Sequence, residues 1–295
     1  MNTITVRVPA TTANLGPGFD CLGLALGLYT EVSFECAGKT LVITGCDSEY
    51  AGPENLAYQA FQAVLTRLGR TMPGLHIHID AHIPISRGLG SSAALLAAGA
   101  MGANALCGSP LTREELLAIT TEIEGHPDNL APAFYGGLVA SMMKNGQPVC
   151  AAFPLSPQWH FLALIPDFPL STRMARSVLP EQISRGDAVF NISHALLLMK
   201  ALETGDEGLL SQALDDRIHQ QFRRGLIHDF DAVEALVKER GGALCISGAG
   251  PTLLCITKDP GLAQTLAGEL PHRVQHCWQV LPLRAESEGA CTLQP

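Results

Sequence analysis

The stretch Ile83-Pro84-Ile85-Ser86-Arg87-Gly88-Leu89-Gly90-Ser91-Ser92-Ala93-Ala94 sets two glycines and two hydroxyls before an alanine-rich run that continues to Ala105. Glycine at positions 88 and 90 permits backbone angles and close approach that a Cβ would forbid, so successive N–H groups can converge on an anion. Ala93, Ala94, Leu95, Leu96, Ala97, Ala98, Ala100 and Met101 favour helix, and the positive end of that helix would face the same anion. Ser91 and Ser92 stand where an N-cap belongs; their hydroxyls can cap the helix, bond a phosphate oxygen or ligate Mg²⁺. The stretch reads as a phosphate cradle, with Pro84, Arg87, Gly88, Leu89, Gly90, Ser91, Ser92 and Ala93 as candidate nucleotide contacts. A plain Gly-rich turn into a helix would look similar, so the surroundings must decide.

Two common phosphate motifs do not fit. No lysine lies in the loop, against a Walker-type NTPase. Helix is followed by more helix, without the second strand and acidic residue of a dinucleotide fold. Three other segments supply context. Pro9-Ala10-Thr11-Thr12-Ala13-Asn14-Leu15-Gly16-Pro17-Gly18-Phe19-Asp20 interrupts an alternating strand and can carry Asn14 and Asp20 to a ligand. Glu122-Ile123-Glu124-Gly125-His126-Pro127-Asp128-Asn129 ends a helix in a polar turn. Beside a phosphate loop, Glu124 becomes a second oxygen ligand for Mg²⁺ with Ser92. Ser247-Gly248-Ala249-Gly250-Pro251-Thr252 reads as a glycine turn between two strands.

These segments, in this order, resemble the GHMP kinase superfamily and, within it, the homoserine kinases; the likeness runs from about Thr5 to about Ile256. The resemblance implies an α+β chain of two domains: a ribosomal-protein-S5-like N-terminal domain that binds ATP, over residues 1–155, and a ferredoxin-like C-terminal domain, over 156–295, with the site in the cleft between them. It implies phosphorylation of the side-chain hydroxyl of L-homoserine by MgATP on the route to threonine. Asn14 and Asp20 would meet the substrate ammonium, Asn129 its hydroxyl, and Arg176 and Arg223 its carboxylate. His126 and Gly248 would complete the substrate site, and Asn55 would border the adenine pocket while also serving as an N-cap. The family often has Pro-Tyr where this chain has Gln221-Phe222, which keeps the arginine and removes a tyrosine hydroxyl.

The chemistry agrees independently. A zwitterion in a closed site needs a carboxylate for its ammonium and forked guanidinium donors for its carboxylate, because unpaired charges are costly to desolvate. Phosphoryl transfer asks mainly for alignment and charge neutralisation, with Arg87 or Arg176 as added positive charge. Asp128 is a candidate general base, or else it orients Asn129 and His126. Two rivals remain on sequence grounds. One is a GHMP kinase for another small alcohol, which would not need both arginines. The other is a nucleotide-binding regulator, which would bind ATP without turnover.

At 295 residues and 47% hydrophobic the chain can bury one large or two ordinary cores. A net charge of −9 argues against nucleic acid as partner. Nine cysteines without a Cys-x-x-Cys read as reduced cytoplasmic thiols, with Cys21 alone inside a candidate site loop. No charged n-region with an apolar core opens the chain, and Ala93–Leu106 is too short to span a bilayer, so neither secretion nor a membrane is expected. His76, His78, Asp80 and His82 alternate with apolar residues and could share one strand face at zinc-like spacing; the preferred reading is a polar outer face. The family resemblance suggests a homodimer. Strands are expected near Thr3–Val8, Leu28–Cys36, Leu41–Gly45, Leu75–Ala81, Leu138–Met143 and Phe161–Ile165, with a hairpin over Leu244–Ile256.

Overall fold

The computed structural model describes residues 3–72 and 74–293. In chain order the strands are β1 Thr3–Ala13, β2 Leu22–Glu35, β3 Leu41–Thr44, β4 Leu75–Ala81, β5 Leu138–Lys144, β6 Gln147–Phe153, β7 His160–Pro166, β8 Ala243–Ile246, β9 Leu253–Thr257, β10 Trp278–Leu283 and β11 Cys291–Leu293. The helices are α1 Leu56–Arg67, α2 Ser91–Leu106, α3 Arg113–Glu124, α4 Leu130–Tyr135, α5 Thr172–Ser177, α6 Arg185–Thr204, α7 Glu207–Ala213, α8 Gln220–Arg223, α9 Phe230–Glu239 and α10 Leu262–Glu269. Seven strands form one sheet in the order β11-β1-β2-β4-β3, with β5 and β6 branching from β2. The other sheet is antiparallel and runs β10-β7-β9-β8. Numbered within its own unit, that order is 4-1-3-2, the ferredoxin-like arrangement.

Local chemistry explains the helix limits. Asn55 caps α1 by accepting from the amides of Ala57 and Tyr58. Thr112 and Glu115 form a capping box at α3, and Gly125 ends it in the left-handed conformation at φ 92°. Helix α2 is apolar almost all round, and Ala93, Ala94, Leu96, Ala97, Ala98 and Ala100 are fully buried, so it lies inside, with its N-terminus at the cleft. One continuous cluster of buried side chains includes Phe34, Phe61 and Leu96 from the first sheet and its helices and Trp159, Phe161 and Leu254 from the second. The two sheets therefore share an apolar floor beneath the cleft.

Three expectations are corrected. Strand β1 does not stop at Val8, nor does β2 wait for Leu28. The register shifts between Pro9 and Ala10, which accommodates the proline as a bulge, and pairing then runs from Ala10 opposite Leu26 to Ala13 opposite Gly23. The small residues that read as loop are strand because a neighbour completes their hydrogen bonds. Strands β6, β10 and β11 were not expected. Neither Ser91 nor Ser92 caps α2: the cap position is Gly90, at φ 71°.

The chain's last strand also leaves the unit expected over 156–295. Residues Cys291–Leu293 pair with β1 in the first sheet, Ala285 bridges Leu26, and the Glu286 carbonyl accepts from Gly137. The guanidinium of Arg113 fastens this return by donating to the carbonyls of Phe134 at 2.8 Å, Ala290 at 3.1 Å and Glu288 at 3.4 Å. On β4 the alternation holds: Leu75, Ile77 and Ile79 are buried, His78 and Asp80 are exposed, and the rings of His76 and His78 meet the Thr44 hydroxyl. Among the described residues no helix is long and apolar enough to cross a membrane.

Replacing Arg113 with alanine leaves those carbonyls short of donors. The variant is expected to lose about 2 kcal/mol of unfolding free energy in urea denaturation, with the phosphate loop untouched.

Candidate active site

Segments distant in sequence meet at one cavity of about 870 Å³, among them the β1–β2 loop, the segment between β3 and α1, the loop before α2, the turn after α3, α5, α8 and the β8–β9 turn. Its walls include the apolar side chains of Tyr50, Ile79, Ile83 and Leu95 with Asn55, the polar and charged residues Asn14, Asp20, His126, Asp128, Asn129, Arg176 and Arg223 with Gly248, and Gly88, Gly90, Ser91, Ser92 and Glu124. Apolar and charged side chains on one cavity wall, with glycine amides and a helix N-terminus, suit a base, a phosphate chain and a small polar acceptor.

The phosphate loop cannot carry side chains at its glycines. Gly88 sits at φ 74°, where a Cβ would lie 2.3 Å from the Ser247 carbonyl, and at Gly90 a Cβ would lie 2.0 Å from Thr11 Oγ1. The Ser92 hydroxyl donates to Glu124 at 2.5 Å, which brings together the two oxygen donors nominated for Mg²⁺. Leu89 and Ala93 are fully buried in the core and do not line the cavity. Arg87 reaches the cavity wall, yet its guanidinium donates to the carbonyls of Pro166, Asp167 and Ile85; it ties the loop to the second sheet and is not the spare positive charge expected of it. Asn55 has its oxygen engaged by two helix amides and its amide by the Tyr50 carbonyl. Its capping role is therefore the one its polar atoms serve.

In the β1–β2 loop, Asn14, Leu15 and Asp20 hold left-handed backbone conformations at φ 73°, 46° and 53°, a cost that folded surroundings must sustain. Part of that support is Asn14 itself, which accepts from the Asp20 amide at 3.0 Å and donates to the Gly248 carbonyl at 2.6 Å. Asn14 thus builds the wall and aims Asp20. The Asp20 carboxylate is met in bidentate fashion by Arg176 at 2.8 and 3.1 Å, so two groups expected to hold opposite ends of one ligand here hold each other.

Arg223 is different. Its side chain is 2% exposed, and its guanidinium donates to the carbonyls of Ala175 and Gly248 and to Nδ1 of His219, with no carboxylate in contact among the described residues. Burial, then repulsion from Arg176, pushes its pKa down to about 10. Phe19 lies beneath both arginines, 5.8 Å from Arg176 and 5.2 Å from Arg223, and stacks on His219 at 5.1 Å. His219 Nε2 donates to the Gly16 carbonyl at 2.8 Å, which leaves Nδ1 as acceptor for Arg223. Phe19 and Thr11 escaped the sequence reading because their roles depend on partners far along the chain.

At the turn after α3, Asp128 Oδ1 accepts from His126 Nδ1 at 2.9 Å and from the Asn129 amide at 2.8 Å. The hydrogen bond to Asp128 raises the pKa of His126 against the opposing effect of burial. Asn129 Oδ1 accepts from the Thr11 hydroxyl at 2.8 Å.

The model of the GHMP kinase N-terminal domain matches residues 55–137, and that of the C-terminal domain matches 198–276. A homoserine kinase of Clostridium botulinum (strain ATCC 19397 / Type A) is 39% identical over 289 residues, 97% of each chain. The chain belongs to the homoserine kinase family. Another homoserine kinase, of C. botulinum strain Alaska E43, is 39% identical over 99% of each chain. The solved homoserine kinase of Cytophaga hutchinsonii superposes with a TM-score of 0.90 at 27% identity, covering 99% of this chain and 98% of its own. An L. major mevalonate kinase solved with R-mevalonate shares the fold, with a TM-score of 0.75 at 16% identity over 96% of each chain.

Burial drives the pKa of His219 down from 6.5 to about 4. Between those values the unfolded chain binds a proton that the folded one refuses, so stability is undiminished above about pH 6.5 and falls as pH drops toward 4. The slope from this group is at most about 1.4 kcal/mol per pH unit. Urea denaturation at pH 7 and pH 5 measures it, and His219→Gln is expected to flatten it.

Proposed function

We propose that this cleft transfers the γ-phosphoryl group of ATP to the side-chain hydroxyl of L-homoserine, forming O-phospho-L-homoserine and ADP. The observation that carries the substrate assignment is Arg223, a buried guanidinium facing the cavity without an anionic partner. An uncompensated buried charge costs several kcal/mol, and a ligand carboxylate accepting its free donors offsets that cost. Asp20 receives the ammonium, and Arg176, released from Asp20 as the ammonium arrives, becomes the second carboxylate donor. Family membership supports the same reading, since the curated relatives are homoserine kinases.

Nucleotide binding belongs to the amides of residues 88–92, the N-terminus of α2 and the apolar side chains of Tyr50, Ile79, Ile83 and Leu95 on the cavity wall. Ser92 and Glu124 are hard oxygen donors in contact with one another and suit Mg²⁺, which is usually held by one or two protein oxygens plus phosphates. When bound, such an ion neutralises charge on the β- and γ-phosphate oxygens. Asn129 orients the substrate hydroxyl. Asp128 holds His126 and the Asn129 backbone with one oxygen, and its Oδ2 is left to take the hydroxyl proton as the new O–P bond forms and the bond to ADP breaks.

Arg223→Met is expected to raise KM for L-homoserine at least about 30-fold, the equivalent of ~2 kcal/mol for a charge pair broken in a buried site, while the dissociation constant for MgATP stays the same. Steady-state kinetics with nucleotide titration checks both. An unchanged KM for homoserine would remove the carboxylate role.

A further inference from the structure

Thr11 is fully buried near the end of β1, behind the cavity wall and not on it. Its backbone N–H donates to the Leu89 carbonyl at 3.1 Å. Its Oγ1 fills the notch left by the missing Cβ of Gly90. The same hydroxyl donates to Asn129 Oδ1 at 2.8 Å. On its other side Thr11 is paired with Ala25 of β2. One residue of an interior strand therefore touches the phosphate loop through its backbone N–H and its Oγ1, and that same Oγ1 holds the Asn129 amide.

We propose that Thr11 is a positioning residue for phosphoryl transfer: it holds the phosphate loop and the Asn129 amide in fixed register and decides which end of that amide faces the substrate. The inference rests on the kinase reading above. With Oδ1 engaged by the Thr11 hydroxyl, Nδ2 is the end presented to the cavity, and it can only donate. A substrate hydroxyl that accepts from Nδ2 keeps a lone pair for the γ-phosphorus and its own proton for Asp128. The two ends of a carboxamide are nearly the same size, so without Thr11 Oγ1 nothing opposes a half-turn that presents Oδ1 instead. Oδ1 would draw the hydroxyl proton toward Asn129, away from Asp128, and turn the attacking lone pairs aside. Attack geometry would suffer while the nucleotide site, built from other atoms, would not.

The test compares Thr11→Val, which removes the hydroxyl at nearly constant volume, with Thr11→Ser, which keeps it. T11V is expected to lower kcat roughly 10- to 100-fold, the scale of a small misplacement of reacting groups, with KM for ATP unchanged, and T11S is expected to restore most of the rate. In an Asn129→Ala background T11V should cost nothing further, because the atom it positions is gone. A T11V enzyme with wild-type kcat, a T11S enzyme as slow as T11V, or a T11V loss that persists in the N129A background would each overturn the proposal. If thermal unfolding shows that T11V does not fold, Thr11→Ala takes its place in the same cycle with the same expected and contradicting results. Failure of the wild-type protein to phosphorylate homoserine would instead remove the kinase reading, and it is seen before any variant is made.

Discussion

A helix that is apolar almost all round has to be buried, and most of this architecture follows from where α2 is put. Its alanines let α1, β1 and β2 approach closely on several sides, and its N-terminus emerges at the cleft floor with its amides unpaired. That end is the natural seat for phosphates. The glycines ahead of it are required by two neighbours, the Ser247 carbonyl and the Thr11 side chain, which leave no room for a Cβ. The phosphate loop is therefore gripped from both units of the chain, by the β8–β9 turn and by β1.

The other half of the cleft is governed by charge. Asp20 and Arg176 neutralise each other, and Arg223 remains buried and positive above the ring of Phe19. A zwitterion suits this arrangement better than a simple anion. Its ammonium can replace Arg176 at Asp20, its carboxylate can then serve both arginines, and no charge is left exposed to a low-dielectric wall. His219 fits the scheme by staying neutral: held with its Nε2 proton on the Gly16 carbonyl, it accepts from Arg223 and adds no second cation.

Much of this was legible in the chain because the signals were local. The Gly88–Ala94 run, the Gly125 stop, the Asn55 cap and the Gly248 turn are each encoded within a few residues, and the GHMP-like order of segments joined them into one fold. What was not legible depends on partners distant in sequence. The Asp20–Arg176 pair spans 156 positions. Arg87, a plausible phosphate ligand by position, turns to backbone carbonyls about 80 residues on. Strand β11 is short and unremarkable in composition, and becomes a strand only because β1 has an open edge there. Thr11 read as one of several small polar loop residues until the bulge at Pro9 brought it back into the sheet.

The most direct test of the account is the release of ADP from MgATP in the presence of L-homoserine, L-serine, mevalonate, galactose or no acceptor. Turnover with L-homoserine far above every other acceptor is the predicted result. Equal or faster turnover with an alcohol that lacks the amino-acid group would contradict the charge-based account of the pocket, and ATP binding without turnover on any of them would contradict the enzyme itself.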